Sequence, residues 1–86
     1  MSEQPSESSE QFVTALREQK SRVLSALVGD VTIPATPILG DDETLSCEEY
    51  VTLVYELHHV HLPELRADGL IEFDHHRDEV GRGERF

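Results

Sequence analysis

The chain has 86 residues, 18 acidic against 7 basic, a formal net charge of -11, one cysteine, no tryptophan and a 37% apolar share. So short a chain sits near the lower limit for burying an adequate core without staples, which implies one domain that gains from a partner subunit and has little room for an elaborate active site. A lone Cys47 excludes an internal disulfide, no apolar run approaches the ~20 residues that span a bilayer, and the start MSEQPSESSEQ lacks the basic and apolar segments of a signal peptide; a soluble, cytoplasmic protein without membrane contact is expected.

Residues 1–9 hold Ser, Glu, Gln and Pro with a single apolar residue, too little to offset the entropy of ordering, and read as a disordered tail. From Glu10 onward Phe12, Val13, Leu16, Val23, Leu24 and Leu27 recur at helical spacing. Lys20 falls on the same stripe, its stem able to lie along the core while its ammonium reaches water. Ser8 or Ser9 is placed to cap this helix, and Gly29 to end it in a left-handed turn. Residues 31–45 contain Pro34, Pro37, Gly40 and Asp41-Asp42, which predicts a loop, with Val31-Thr32-Ile33 as a short edge strand.

Ser46-Cys47-Glu48-Glu49 is a capping box and starts a second helix. On a helical wheel Tyr50, Leu53, Val54, Leu57, Val60, His61 and Leu65 share one face, with Thr52, Tyr55, His59, Leu62 and Arg66 roughly opposite. Pro63 removes a bond to the His59 carbonyl, so the helix either kinks near His59 or restarts with Pro63 in its first turn. Gly69 stops it. Leu70 to Phe73 then reads as a strand, Asp74 to Asp78 as a polar turn and Glu79-Val80 as a returning strand, giving a domain over 10–80 and a frayed end over 81–86.

Carboxylates are spread along the whole sequence, and the basic residues are Lys20 and six arginines. Acidity over the whole surface with lysine nearly eliminated is the composition of a protein kept soluble in concentrated salt, where self-repulsion is screened at short range. It points to a salt-accumulating archaeal source, although an ordinary acidic protein that repels nucleic acid has the same composition. At physiological ionic strength this charge argues against DNA binding, because affinity there comes largely from neutralising phosphates; in molar salt that objection loses most of its force.

The run EYVTLVYELHHVHLPELRADGLIEFD (49–74) resembles the recognition helix and first wing strand of a winged-helix DNA-binding domain. Within it, HHVHLPELRADGLIEFD is similar to the end of a family of small haloarchaeal winged-helix domains regarded as transcription regulators. The shared pattern is carried here by His61, Leu62, Pro63, Leu65, Ala67, Asp68, Gly69, Phe73 and Asp74. Upstream, ALREQKSRVLSAL is similar to that family's first helix, with Lys20 and Arg22 at its basic cluster. The two blocks cover about half of the chain. The family's second helix would fall on VTIPATPILGDDETLS, which holds two prolines, and its basic residue after His-Leu-Pro is Glu64 here. The resemblance implies an α+β fold: a small winged-helix-like domain of two main helices followed by a C-terminal β-hairpin wing.

Histidines 58 and 61 on one helix and His75-His76 in the turn invite a metal, but the spacing lacks paired cysteines or a His-x-x-x-His pair, and His61 on the apolar stripe is expected to be a core histidine bonded to a backbone carbonyl. Cys47 near a helix start reads as an ordinary small residue rather than a redox sensor. No phosphate-cradling glycine loop, nucleophile elbow or paired carboxylates are visible, so no enzyme, metal, cofactor or small-molecule substrate is expected. The expected function is DNA-binding transcription regulation as a homodimer on double-stranded DNA. Thr52, Tyr55, His59 and Arg66 would face the major groove, and Arg77 and Arg82 in the wing would face phosphates or the minor groove. The alternative is a degenerate winged helix that only binds protein partners or dimerises, through Leu62, Tyr55, Val13 and Leu24.

Overall fold

A computed structural model describes residues 6–86, with side chains from Glu10 onward. The first helix, α1 (Ser6–Gly29), already includes Ser6 to Ser9, so residues 6–9 are helix where a disordered tail was expected, the rest of that expected tail lies outside the described residues, and neither Ser8 nor Ser9 stands at the helix start. Ala15, Gln19, Val23 and Leu27 are its buried residues, one every four. Val13, expected on the apolar stripe, is exposed. The helix ends at Gly29 without the expected left-handed turn, since Gly69 is the glycine with positive φ among the described residues. Its last carbonyls are instead met by Arg82, whose Nε donates to the Leu27 carbonyl at 2.7 Å and whose Nη2 donates to that of Val28 at 3.2 Å. A cation there also suits the negative end of the helix dipole.

After strand β1 (Thr32–Pro34) the chain runs without helix to Ser46, as the prolines and Gly40 predict. The loop is held by side chains of α1. Gln19, fully buried, donates from Nε2 to the Ile38 carbonyl at 2.8 Å and accepts the Ile38 N–H on Oε1 at 2.9 Å. Its amide therefore does for Ile38 what a neighbouring strand would do. Arg22 grips the Glu43 carboxylate with both Nη atoms, at 2.6 and 2.7 Å, and also donates to the Ile38 carbonyl at 2.9 Å. Glu43 in turn accepts the Gly40 N–H at 2.9 Å. This polar clasp occupies the place where the resemblance calls for a second helix.

The second helix, α2 (Cys47–Glu56), opens with the expected capping box: Ser46 Oγ accepts the Glu49 N–H at 3.1 Å, and Glu49 Oε1 accepts the Ser46 N–H at 2.9 Å. A π-helical turn over Leu57–His61 follows and leads directly into α3 (Leu62–Ala67), with Pro63 in its first turn. The Leu62 N–H reaches back five residues to the Leu57 carbonyl. The wider turn absorbs the proline and rotates everything after it relative to α2. Leu62, expected to face outward, is consequently buried at 2% exposure, while Tyr50, expected inward, is exposed.

Gly69, at φ 80°, turns the chain into the hairpin β2 (Ile71–Asp74) and β3 (Glu79–Arg82). The antiparallel sheet has the order β1-β3-β2, with Val80 opposite both Ile33 and Phe73, so β1 is an edge strand. The expected frayed end is ordered: β3 extends to Arg82, the Gly83 N–H bonds the Leu70 carbonyl at 2.9 Å and the Arg85 N–H bonds that of Gly69 at 2.8 Å. Val23 and Leu27 from α1, Leu57, Leu62 and Leu65 from the second helical rod, and Ile33, Ile71 and Val80 from the sheet form one core. The fold is α+β with a winged-helix-like layout.

Candidate functional site

The rod formed by α2, the π-turn and α3 aims Leu53 and Leu57 into the core. At about 100° per residue, the positions two before and two after Leu53, and two after Leu57, point nearly opposite. These are Val51, Tyr55 and His59, all exposed, Val51 at 66% and Tyr55 at 57%. The Tyr55 and His59 rings stack with centroids 4.1 Å apart and planes 26° apart. Thr52 directly precedes buried Leu53 and Arg66 directly follows buried Leu65, so both lie on flanks of the rod. The Thr52 hydroxyl donates to the Glu48 carbonyl at 3.0 Å.

The hairpin begins beside this rod. Phe73 packs edge-on against His58 at 5.7 Å and against His75 at 4.4 Å between ring centroids. Asp74 Oδ1 accepts the backbone N–H groups of His76 and Arg77 at 2.9 and 3.2 Å, and Asp78 at φ 55° closes the turn, leaving Arg77 exposed at the tip. Of the six expected contact residues, Tyr55 and His59 are brought together, Thr52 and Arg66 flank them and Arg77 stands in the hairpin turn. Arg82 does not join them. Its position at the end of β3 sets it beside the open C-terminus of α1, where it bonds two carbonyls and lies 5.5 Å from the Phe86 ring centre.

The carbonyl bond expected of His61 belongs to its neighbour, since His58 Nε2 lies 2.9 Å from the Ala35 carbonyl. His61 is buried with no hydrogen-bond partner at either ring nitrogen. Among the described residues no group of three or more His, Cys, Asp and Glu side chains is placed to hold a metal ion. Nor is any described helix long and apolar enough to cross a membrane.

Structural ion pairs take up much of the scarce positive charge. Lys20 pairs with Glu64, joining α1 to α3 and holding the Glu64 carboxyl below its ordinary range. The Arg22 guanidinium and the Gly40 amide together pull Glu43 down to about 2 from 4.5. Arg66 on the flank of the rod and Arg77 in the hairpin turn remain exposed, against Glu48 and Glu56 on the rod itself. Val51 was absent from the expected contact set; its place opposite Leu53 on the wheel was the available signal. With Tyr50, Leu39, Leu45 and Cys47 it also lines an open, mainly apolar hollow of about 350 Å³ at the start of α2.

Comparison of the chain with protein-family models, with curated proteins and with solved structures finds no match.

Proposed function

We propose that the protein is a DNA-binding transcription regulator of winged-helix type, working as a homodimer in a salt-adapted cytoplasm. The observation that carries this proposal is the uncovered row Val51, Tyr55 and His59 on the helical rod before the hairpin, flanked by Thr52 and Arg66, with Arg77 at the hairpin turn. A rod so exposed fits a major groove, and a hairpin cation fits the adjoining phosphates. The resemblance of residues 58–74 to haloarchaeal winged-helix domains supports the same function. The test is retention of random duplexes at molar potassium chloride, with size measured alongside. Sequence-selective retention by a dimer is expected, and Arg77→Ala should weaken binding to all sequences and lower the salt slope by about one.

A second function, a winged helix that binds only protein partners, is favoured by one observation: the apolar hollow at the start of α2 adjoins a face with few cations. Under it no duplex is retained, and Val51→Asp abolishes self-association or partner binding without unfolding the chain.

A further inference from the structure

We infer that the outer face of the rod reads thymine-rich duplex through the C5-methyl groups that thymine presents in the major groove; the inference rests on the DNA-binding function proposed above and names the sequence class this face accepts. Arginine or lysine paired with guanine O6 and N7 is the commonest specific contact in a major groove. From Cys47 to Leu65 the rod carries neither residue. Its first cation, Arg66, lies on a flank near the end of α3, and Arg77 is in the hairpin, positions suited to phosphates. The guanine acceptors therefore meet no fixed cation on the outer row.

What Val51 and the face of the Tyr55 ring offer instead is apolar surface, with the Tyr55 hydroxyl and the His59 imidazole as the row's uncharged hydrogen-bonding groups. Val51 has no hydrogen-bonding group and is 66% exposed, and the Tyr55 ring is held in place by its stack on His59. The Thr52 hydroxyl donates its hydrogen bond to the Glu48 carbonyl, so its donor is spent within the helix. The exposed Glu48 carboxylate accepts hydrogen bonds and gives none, which suits the amino group of adenine or of cytosine equally. The methyl group separates the two, because thymine carries it beside adenine's amino group and a cytosine–guanine pair has none. Val51 and Tyr55 thus favour thymine by burying that methyl against apolar surface.

The test selects sites from random duplexes at molar potassium chloride and remeasures the selected duplex with each thymine replaced by uracil, which keeps the pairing and removes the methyl. The selected sites should be thymine-rich, and each contacted methyl lost should weaken binding about fourfold, the equivalent of burying one CH₂-sized group. Val51→Ala should remove the response to uracil at one position while leaving the melting temperature unchanged, since the side chain is outside the core. Guanine-rich sites, equal retention of all sequences, or binding indifferent to uracil would overturn the inference and leave DNA binding standing. Failure to retain any duplex would overturn both.

Discussion

The Arg22–Glu43 clasp ties the loop's fate to pH. Glu43 is 11% exposed at its side chain, grips the guanidinium with both oxygens and accepts an amide, and its pKa falls from 4.5 to about 2. A carboxyl with a depressed folded-state pKa stabilises the fold above its unfolded value and loses that contribution as pH falls toward its folded one. Glu43→Gln should therefore cost about 2 kcal/mol at pH 7, and the gap from the unaltered protein should shrink between pH 5 and pH 2, as read by urea unfolding at each pH. A constant gap would mean that the pair is not coupled to folding. Gln19 works with it through neutral bonds. Gln19→Leu leaves the Ile38 N–H without its partner while Arg22 still serves the carbonyl, so a loss of about 1 to 3 kcal/mol is expected in the same assay. Gln19→Glu should be worse, because a buried carboxylate would then face the Ile38 carbonyl.

At the level of elements, the π-turn decides which leucines are core. Leu57 starts it and Leu62 follows it, and the five-residue bond between them lets both join the core that Val23, Leu27 and Ile71 belong to. Leu57→Ala should cost about 2 to 5 kcal/mol, a large part of the stability of a domain this size; a thermal midpoint moved by only a degree or two would place Leu57 outside the core. The junction between α3 and the hairpin is equally tight. A Cβ added at Gly83 would lie 2.4 Å from the Gly69 carbonyl oxygen and 2.7 Å from the Ile71 nitrogen, both backbone atoms. Gly83→Ala should cost about 1 to 3 kcal/mol and expose the Gly83 and Arg85 amides to hydrogen exchange. Unchanged protection there would show that the C-terminal segment has room to move.

For the whole molecule the decisive property is charge. Eighteen carboxylates face seven basic residues, and several of those bases are already committed within the fold through Lys20–Glu64, Arg22–Glu43 and Arg82 on the α1 carbonyls. The remaining acids repel one another over the surface, and salt screens that repulsion much more than it weakens the shielded Arg22–Glu43 pair. The thermal midpoint should rise steadily from low salt to molar potassium chloride. A flat or falling curve would show that surface repulsion does not limit stability. The same shortage of free cations makes the rod's outer face chemically distinct, with an aromatic and apolar row where a nucleic-acid-binding helix commonly carries arginine.

The element order was legible from local signals: the Ser46 capping box, the prolines and Gly40 that keep 31–45 from forming a helix, Gly69 as a stop, and the strand-like run Leu70 to Phe73 before a polar turn. Each acts within a few residues along the chain, so its outcome does not depend on distant partners. Tyr55 as an exposed residue was legible for the same reason, because it lies before the helix changes period, and His59, two residues into the π-turn, was still legible because the added rotation there is small. Leu62 was not, since a wheel with a constant period cannot anticipate a five-residue bond that a proline provokes only when the core rewards the extra rotation. Gln19, Glu43 and Arg82 were hidden for a different reason. Each looks like a surface residue in sequence, and its role exists only because the tertiary fold brings an unpaired backbone group or an opposite charge beside it from 19, 21 or 55 residues away. Helix and strand identity thus came from the chain's local chemistry, whereas the loop clasp, the helix cap and the final choice of inward and outward leucines were settled by which polar groups the folded molecule had left to satisfy.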